Sequence, residues 1–324
     1  MNSESVDLIY LDPPFNSKAN YAAPIGSKAA GAEFKDTWSL SDVDVEWINL
    51  IEAKHPALHR VLLAAMIDSD KSYLAYMAVR LLEMRRILKP TGSIYLHCDP
   101  TMSHYLKLVM DAVFGRRNFR NEITWKRRHG MSSAVHGSNR FGICTDIILF
   151  YAASTEAEFR PQYNREHPAY LEYIEKNFRL TDETGRRYAA TSLTNPAYRP
   201  NLIYEYKGYL PPKNGWMISF EKMEQWDREK RIHFPKNKSG RLRRKSFADE
   251  LKGMPIQNIW DDIQQIGSHS GERTGYRTQK PLALLDRVIR ASSNEGDMVL
   301  DPFCGCATAC VAAEKLNRQW VGID

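Results

Sequence analysis

The sequence predicts an α/β protein, a parallel sheet with helices on both faces, and three observations carry that reading. An apolar run over residues 8–11 stops abruptly at Asp12-Pro13-Pro14-Phe15. Strand-like and helix-like patterns then alternate in the strand–loop–helix cadence of parallel sheets. Near the other end a second apolar run, Met298-Val299-Leu300, stops at Asp301-Pro302-Phe303-Cys304-Gly305. Loops leaving the carboxyl ends of such strands are where open α/β sheets place their ligands. Two strand ends that each carry an acid can therefore share a ligand.

The first run reads as a buried strand, and Pro13 and Pro14 force the chain out of the sheet at Asp12. The turn brings together a carboxylate, a stiff backbone and the aromatic ring of Phe15. Residues 16–31, rich in Asn, Ser, Ala and Gly, read as a loop of the kind that closes over a substrate. Residues 41–53 read as a short helix, interrupted by Pro56. Residues 70–88 give the clearest helix: Asp70 suits the N-cap, and Leu74, Met77, Leu81 and Leu88 recur at helical spacing as core. Lys89-Pro90-Thr91-Gly92 stops it, and residues 93–97 read as the next strand. A helix from Thr101 follows, with Tyr105, Leu108, Val109, Ala112 and Val113 on one face and Gly115 at its end. Strands are expected over 121–126 and 146–151, separated by the basic run Lys126-Arg127-Arg128 and a Gly/Ser-rich loop over 130–142. No spacing links His97, His129 and His136, so none is assigned a catalytic role.

From residue 155 the cadence changes. Aromatic residues interleave with basic ones up to residue 258, and Pro and Gly break the pattern often. This segment holds 20 Lys and Arg against 14 Asp and Glu, an excess equal to the net charge of +6. A surplus confined to one segment suggests a polyanionic partner. Its densest part, residues 236–246, carries Lys236, Lys238, Arg241, Arg243, Arg244 and Lys245 and no acid. Such a run is commonly a solvated loop; flanked by aromatics, it also suits an arm laid on a phosphate backbone. Three segments follow: a catalytic half over 1–154, a binding region over 155–258, and a second half of the first domain over 259–324.

Composition excludes other classes. No apolar run approaches the ~18 residues of a membrane-spanning helix, and the N-terminus lacks a signal-peptide pattern. The five cysteines, an odd number without a C-x-x-C pair, argue against a zinc site or a disulfide framework and fit a reducing cytoplasm. Cys304 and Cys306 read as small, buried packing residues.

Thr278-Gln279-Lys280-Pro281 opens a helix with Pro281 in its first turn and Leu284, Leu285, Val288 and Ile289 on its apolar face. The strand over 298–300 leads through a Gly-containing turn into a helix of small residues over 309–314, then a strand over 319–323 ending at Asp324. An acid at that position of a βαβ unit accepts hydrogen bonds from ribose hydroxyls. The turn lacks a full G-x-G-x-x-G, which disfavours a dinucleotide, and there is no Walker lysine.

With those motifs in order, the chain resembles a beta-class DNA amino-methyltransferase, the S-adenosylmethionine-dependent enzymes of restriction-modification systems and their solitary relatives. Asp12-Pro13-Pro14-Phe15 resembles the D-P-P-[YF] motif, Thr278-Gln279-Lys280-Pro281 the T-Q-K-P motif, and Phe303-Cys304-Gly305-Cys306-Ala307 the F-x-G-x-G motif. The resemblance covers nearly the whole chain. It implies a Rossmann-like methyltransferase sheet with an inserted target-recognition region over 155–258. It implies that Asp12 and Pro13 hold the exocyclic amine of a flipped base, with Pro14 in the same motif, and that Phe15 stacks on that base. It places S-adenosylmethionine against Asp12, Thr278, Lys280, Pro281, Asp301, Phe303, Gly305 and Asp324, and double-stranded DNA against Lys126, Arg127 and Arg128 and the basic run over 236–246. An Asp at the head of the first motif favours adenine N6; the alternatives are cytosine N4, RNA or protein-amide methylation, and a DNA-binding fragment with little or no activity.

Two departures stand out. Ala307 replaces the second glycine, and its methyl group crowds the cofactor if the backbone there has positive φ. The family continues past the ribose acid with another helix and strand, so the sheet is expected to be truncated, cofactor binding weak, and a homodimer or a restriction or completing subunit a candidate partner.

Overall fold

The computed structural model describes residues 1–16, 19–22, 33–39, 42–128, 139 and 141–324, with backbone alone for 19–22, 33–35 and 42–44. Most of the loop expected over 16–31, and His129 and His136 within the Gly/Ser-rich stretch, lie outside the described residues.

In chain order the elements are β1 Val6–Leu11, β2 Ala19–Ala22, β3 Glu33–Asp36, α1 Asp42–Lys54, α2 Pro56–Leu63, α3 Asp68–Ile87, β4 Leu88–Cys98, α4 Ser103–Met110, β5 Phe119–Lys126 and β6 Thr145–Ala152. Then come β7 Tyr163–Asn164, α5 Pro168–Asn177, β8 Leu180–Thr181, β9 Arg187–Ser192, α6 Phe220–Arg228, β10 Ile232–His233, β11 Arg243–Phe247, β12 Met254–Pro255, β13 Ile259–Trp260, α7 Leu282–Ser292, β14 Met298–Asp301, α8 Thr308–Lys315 and β15 Gln319–Gly322. Among the described residues no helix is long and apolar enough to cross a membrane.

The chain divides into two compact units, one of Met1–Pro161 with Gln257–Asp324 and the other of Gln162–Ile256. The first is built on a seven-stranded sheet in the order β13-β5-β6-β4-β1-β14-β15. The apolar run of β1 is central, paired in parallel with β4 on one side and β14 on the other. Its side chains alternate between two buried faces. Ile9 and Leu11 join Leu74, Met77, Leu81 and Leu106 of α3 and α4 in one core. On the opposite face, Tyr95 of β4 shares a 2.7 Å hydrogen bond with Ser292 of α7.

The sheet is mixed, a correction to the all-parallel expectation. β6 runs antiparallel to both β4 and β5. No helix crosses over between β5 and β6 among the described residues, and strands linked without a crossover pair antiparallel. Local readings shift as well. α3 begins at Asp68 with Ile67 as its N-cap, so Asp70 lies inside the first turn. Leu108, expected on the core face of α4, is 48% exposed. Pro281 caps α7 from outside its first turn.

Residues 89–92 do not end the strand as a loop would; they form a register shift within β4 between the pairs Val6↔Leu88 and Leu8↔Ser93. The shift depends on Gly92, where a Cβ would stand 2.8 Å from the Asp7 carbonyl oxygen and 2.7 Å from the Leu88 side chain.

The second unit holds a four-stranded sheet in the order β10-β11-β9-β8. Its core gathers Leu193, Tyr206, Tyr209, Trp216, Met223, Ile232 and Leu242. The Trp216 indole N–H is satisfied by the Tyr204 carbonyl at 2.8 Å. The aromatics that stand out in the sequence of this segment thus include a genuine hydrophobic core.

Because the contact at Gly92 is with backbone, Gly92→Ala should cost ~1–3 kcal/mol, the range of small-to-large strain in packed sites. Urea unfolding against the wild-type chain measures it, and an unchanged midpoint would show that the register shift has slack.

Candidate active site

Parallel strands present their carboxyl ends along one edge, and here that edge collects acids. β1 delivers Asp12 and β14 delivers Asp301; the pairing of β14 with β15 brings the chain past Gly322 to Asp324 beside them. A cavity of about 220 Å³ opens there. It is lined by Asp12, Pro13, Pro14, Phe15, Thr278, Lys280, Asp301, Phe303, Gly305 and Asp324, all singled out from the sequence; Pro281 does not line it.

Lys280, which the resemblance sends to the cofactor, reaches the other half. Its ammonium ion-pairs with Asp12 Oδ2, donates to the Thr278 carbonyl at 3.3 Å, and lies 5.4 Å over the Phe15 ring. The second carboxylate oxygen, Asp12 Oδ1, is buried and accepts no hydrogen bond from the described residues. A buried acceptor without a donor costs ~1–3 kcal/mol, so one maintained at the mouth of a cavity marks a place for a ligand's N–H or O–H.

Asp36, not found from the sequence, fixes the turn that carries this motif. It is 1% exposed and accepts the backbone N–H of Asn16 at 2.7 Å and of Phe15 at 3.3 Å. Asn16, at φ 57°, stands in the left-handed region as the chain leaves the motif, and its amide donates to Asp70 at 2.8 Å. The signal for Asp36 was only an acid near Trp38, whose indole N–H also points to it at 3.3 Å.

On the other side of the cavity, Asp301 accepts the Phe303 N–H at 3.1 Å and Asp324 accepts the Gly305 N–H at 3.2 Å. Gly305, at φ 47°, has no room for a side chain: a Cβ would stand 3.0 Å from the Tyr276 ring. Tyr276 is a lining residue that sequence reasoning missed, as are Tyr10, Tyr76 and Asp36. Ala307 takes φ 59° and ψ 31°. The backbone there is left-handed, so alanine carries strain that the family's glycine avoids, ~1–2 kcal/mol. Cys310 is buried as expected, but Cys304 and Cys306 are half-buried and line the cavity. Burial pushes the Asp301 carboxyl up to about 7, aided by the charges of Asp12 and Asp324 and opposed by the Phe303 N–H and Lys280.

His97, left without a role by its spacing, lies in the floor beneath Asp12 with no exposed surface. Its Nδ1 is 2.9 Å from the Tyr10 hydroxyl and 4.0 Å from Asp12 Oδ1, and its Nε2 is 3.1 Å from Asp146 Oδ2. The Phe15 ring stacks on the imidazole at 5.7 Å and 28°.

The basic residues divide. Arg127 turns inward, its Nε 2.8 Å from Asp146 Oδ1, and Arg128 donates to Gln265 at 2.9 Å; Lys126 stands between β5 and this pair. In the second unit Arg186, Lys207, Lys230 and Arg231 are ion-paired. Lys236, Lys238, Arg241, Arg243, Arg244 and Lys245 have no such acidic partner among the described residues. Arg244 lies 4.7 Å over Trp226, Lys245 5.2 Å over Tyr188 and Lys238 4.2 Å over Tyr209, while Lys236, Arg241 and Arg243 are exposed.

Fold and site together define a Rossmann-like domain with an acid-rich ligand cavity at the carboxyl edge of its sheet. Residues 6–324 match the DNA methylase family of N6 and N4 methyltransferases, and the chain belongs to that family. It is 33% identical to the type II methyltransferase M.EcaI of Enterobacter cloacae, across 79% of this chain and 55% of that protein. It is 26% identical to the Mod subunit of the type III restriction-modification enzyme StyLTI of Salmonella typhimurium, across 98% of this chain and 47% of that one. The DNA adenine methyltransferase YhdJ of Escherichia coli is 24% identical, across 99% of this chain and 72% of that protein. The chain thus spans about half the length of the first two relatives. Among solved structures, the complex of M1.HpyAVI with S-adenosylmethionine aligns over 99% of this chain and 83% of that one, with 15% identity and a TM-score of 0.43.

Asp301 couples the cavity to pH. Its carboxyl is raised from 3.8 to about 7, so the folded state holds a proton there that the unfolded chain has lost. Stability therefore falls as pH rises from about 4 through 7, by on the order of 4 kcal/mol at most. Asp301→Asn, neutral throughout, should be more stable than the wild type by a few kcal/mol at pH 8 and close to it at pH 4. Thermal denaturation at the two pH values measures this, and a pH-independent difference would remove the assignment.

Proposed function

We propose that the chain transfers a methyl group from S-adenosylmethionine to the exocyclic N6 amine of an adenine flipped out of double-stranded DNA. The observation that carries the reading is the buried, unsatisfied Asp12 Oδ1, held open at the mouth of the cavity that Asp301 and Asp324 share.

The residues present fit both ligands. Asp301 offers a carboxylate to a cationic amino group, Asp324 to ribose hydroxyls, and Phe303 and Gly305 shape the wall between them. Bound there, S-adenosylmethionine supplies a methyl group activated by its sulfonium. The chain's own work is on the base. An exocyclic amine is a poor nucleophile because its lone pair is delocalised into the ring. Asp12 Oδ1 and the Pro13 carbonyl accept its two N–H bonds, which favours a pyramidal nitrogen with its lone pair directed at the methyl carbon. Lys280 occupies Oδ2, so the carboxylate presents Oδ1 to the amine. Phe15, backed by His97, offers an aromatic face to the extruded base. As the N–C bond forms and the C–S bond breaks, the proton leaving the nitrogen already faces Asp12 Oδ1. Positioning and preorganised charge supply most of the rate.

Adenine is favoured over cytosine by the Asp at the head of the motif, the usual residue of adenine-N6 members, where Ser or Thr heads most cytosine-N4 motifs. Duplex DNA is supported by the unpaired basic residues of the second unit. The likeness to a Mod subunit supports a restriction subunit as partner.

Methylation-sensitive sequencing of DNA from cells expressing the chain, with mass spectrometry of its nucleosides, should find N6-methyladenine in one sequence context. Finding only N4-methylcytosine would overturn the choice of base. Asp12→Ala should abolish transfer while leaving DNA affinity within about twofold; full activity in that variant would overturn the mechanism.

Replacing Lys236, Arg241 and Arg243 together by Ala should weaken binding to all duplexes alike and lower the slope of log K against log[salt] by about 3, roughly one per phosphate contact. An unchanged slope would remove this surface from the interface.

A further inference from the structure

Beneath Asp12 runs a buried chain of groups that the proposed reaction does not use. Arg127 Nε approaches Asp146 Oδ1 at 2.8 Å, and Asp146 Oδ2 lies 3.1 Å from His97 Nε2. His97 Nδ1 lies 2.9 Å from the Tyr10 hydroxyl. The His97 ring is wholly buried, with Phe15 stacked on its face and the Trp125 ring edge-on at 5.7 Å and 85°.

The protons in this chain can be assigned. Burial pushes the Asp146 carboxyl up, but the hydrogen bond from His97 and the charges of Arg127 and Lys280 outweigh it and hold it below its usual value. Asp146 is therefore an anion and an acceptor at both oxygens. Burial, with the charges of Asp12, Asp301 and Asp146, pushes the Tyr10 hydroxyl well above its usual value, so it remains a phenol with a proton to donate. Which imidazole nitrogen carries hydrogen is set by the partner of the other. Asp146 takes the Nε2 proton, and Tyr10 fills the Nδ1 lone pair.

The consequence falls on Asp12. Its Oδ1 is 4.0 Å from His97 Nδ1, the one imidazole nitrogen near enough to donate to it after a small shift. We propose that Arg127, Asp146, His97 and Tyr10 form a positioning relay that keeps His97 Nδ1 an acceptor, so that the protein withholds a donor from Asp12 Oδ1 and reserves that oxygen for the substrate amine. The stacked imidazole also sets the plane of Phe15. Arg127, read from the sequence as a DNA contact, acts here through Asp146. The inference rests on the proposed role of Asp12, but its first readout does not.

Asp146→Asn tests it with one atom changed. Arg127 is a donor and claims the amide oxygen, so the amide NH₂ turns to His97 Nε2. That inverts the tautomer and directs an Nδ1–H at Asp12 Oδ1. Long-range proton–nitrogen NMR of the full chain, with His97 assigned by its loss in His97→Gln, should show Nε2–H in the wild type and Nδ1–H in Asp146→Asn. In methyl transfer, kcat should fall 10- to 100-fold, the usual loss for a group that orients another, with KM and cofactor affinity within about twofold. A wild-type Nδ1–H tautomer overturns the relay, as does an Asp146→Asn variant with kcat within twofold, or one whose loss tracks a lowered Tm and weaker cofactor binding. If Asp146→Asn fails to fold, the wild-type spectrum and Tyr10→Phe decide: the latter removes only the donor to Nδ1 and should lower kcat several-fold at unchanged KM, and unchanged kcat overturns the proposal. If Asp12→Ala instead retains activity, the proposed function falls while the tautomer assignment stands.

Discussion

The structure of the first unit turns on one carboxylate, Asp12, whose two oxygens are treated differently. Lys280 holds Oδ2, and Oδ1 is buried without a donor. Folding alone gives no reason for that asymmetry, because satisfying both oxygens would be more stable. It requires β1 to end at a fixed point, the two prolines to leave the sheet at once, and Asp36 to pin the next two backbone N–H groups. It also requires α7 to start where Lys280 can reach back across the edge of the sheet. Each of these is a separate element of the chain serving one oxygen atom.

The price of such a site shows in its electrostatics. Three acids, Asp12, Asp301 and Asp324, share one edge, and Lys280 is the cation among the lining residues that meets one of them. Asp301 is buried beside the other two and is held at about 7. Perturbed groups of this kind cluster at functional sites because the fold is built for a ligand that is absent from the free protein. Ala307 shows the same economy in the backbone: a left-handed residue with a side chain, kept at the entry to α8, where the turn must follow the cavity wall.

What was legible in the sequence is what local chemistry dictates. Asp12, Asp301 and Asp324 could be found because apolar strands end at them, and the prolines and glycine around them have few conformations to choose from. The second half of the sheet was legible for the same reason. What was not legible depends on partners distant in the chain. Lys280 was assigned to the cofactor because its motif flanks the cofactor; its contact with Asp12, 268 residues away, belongs to the fold. Asp36 is an acid in a segment without periodicity. Arg127 reads as one of three surface charges until Asp146 is placed beside it. His97 has no spacing relation to any other histidine because its partners, Tyr10 and Asp146, come from two neighbouring strands.

The strand that contradicted the expected parallel sheet explains that last failure and joins fold to chemistry. A parallel β6 would carry its first residues to the far edge, away from the site. Running antiparallel, it sets its first residues beside the last residues of both neighbours: Cys98 pairs with Ile147, and Trp125 with Asp146. Asp146 therefore stands where an acid can reach His97 near the end of β4 and Arg127 just past the end of β5. One inverted strand thus places the anion that fixes the imidazole below Asp12. Reversing its direction would remove the relay even if every residue in it were kept.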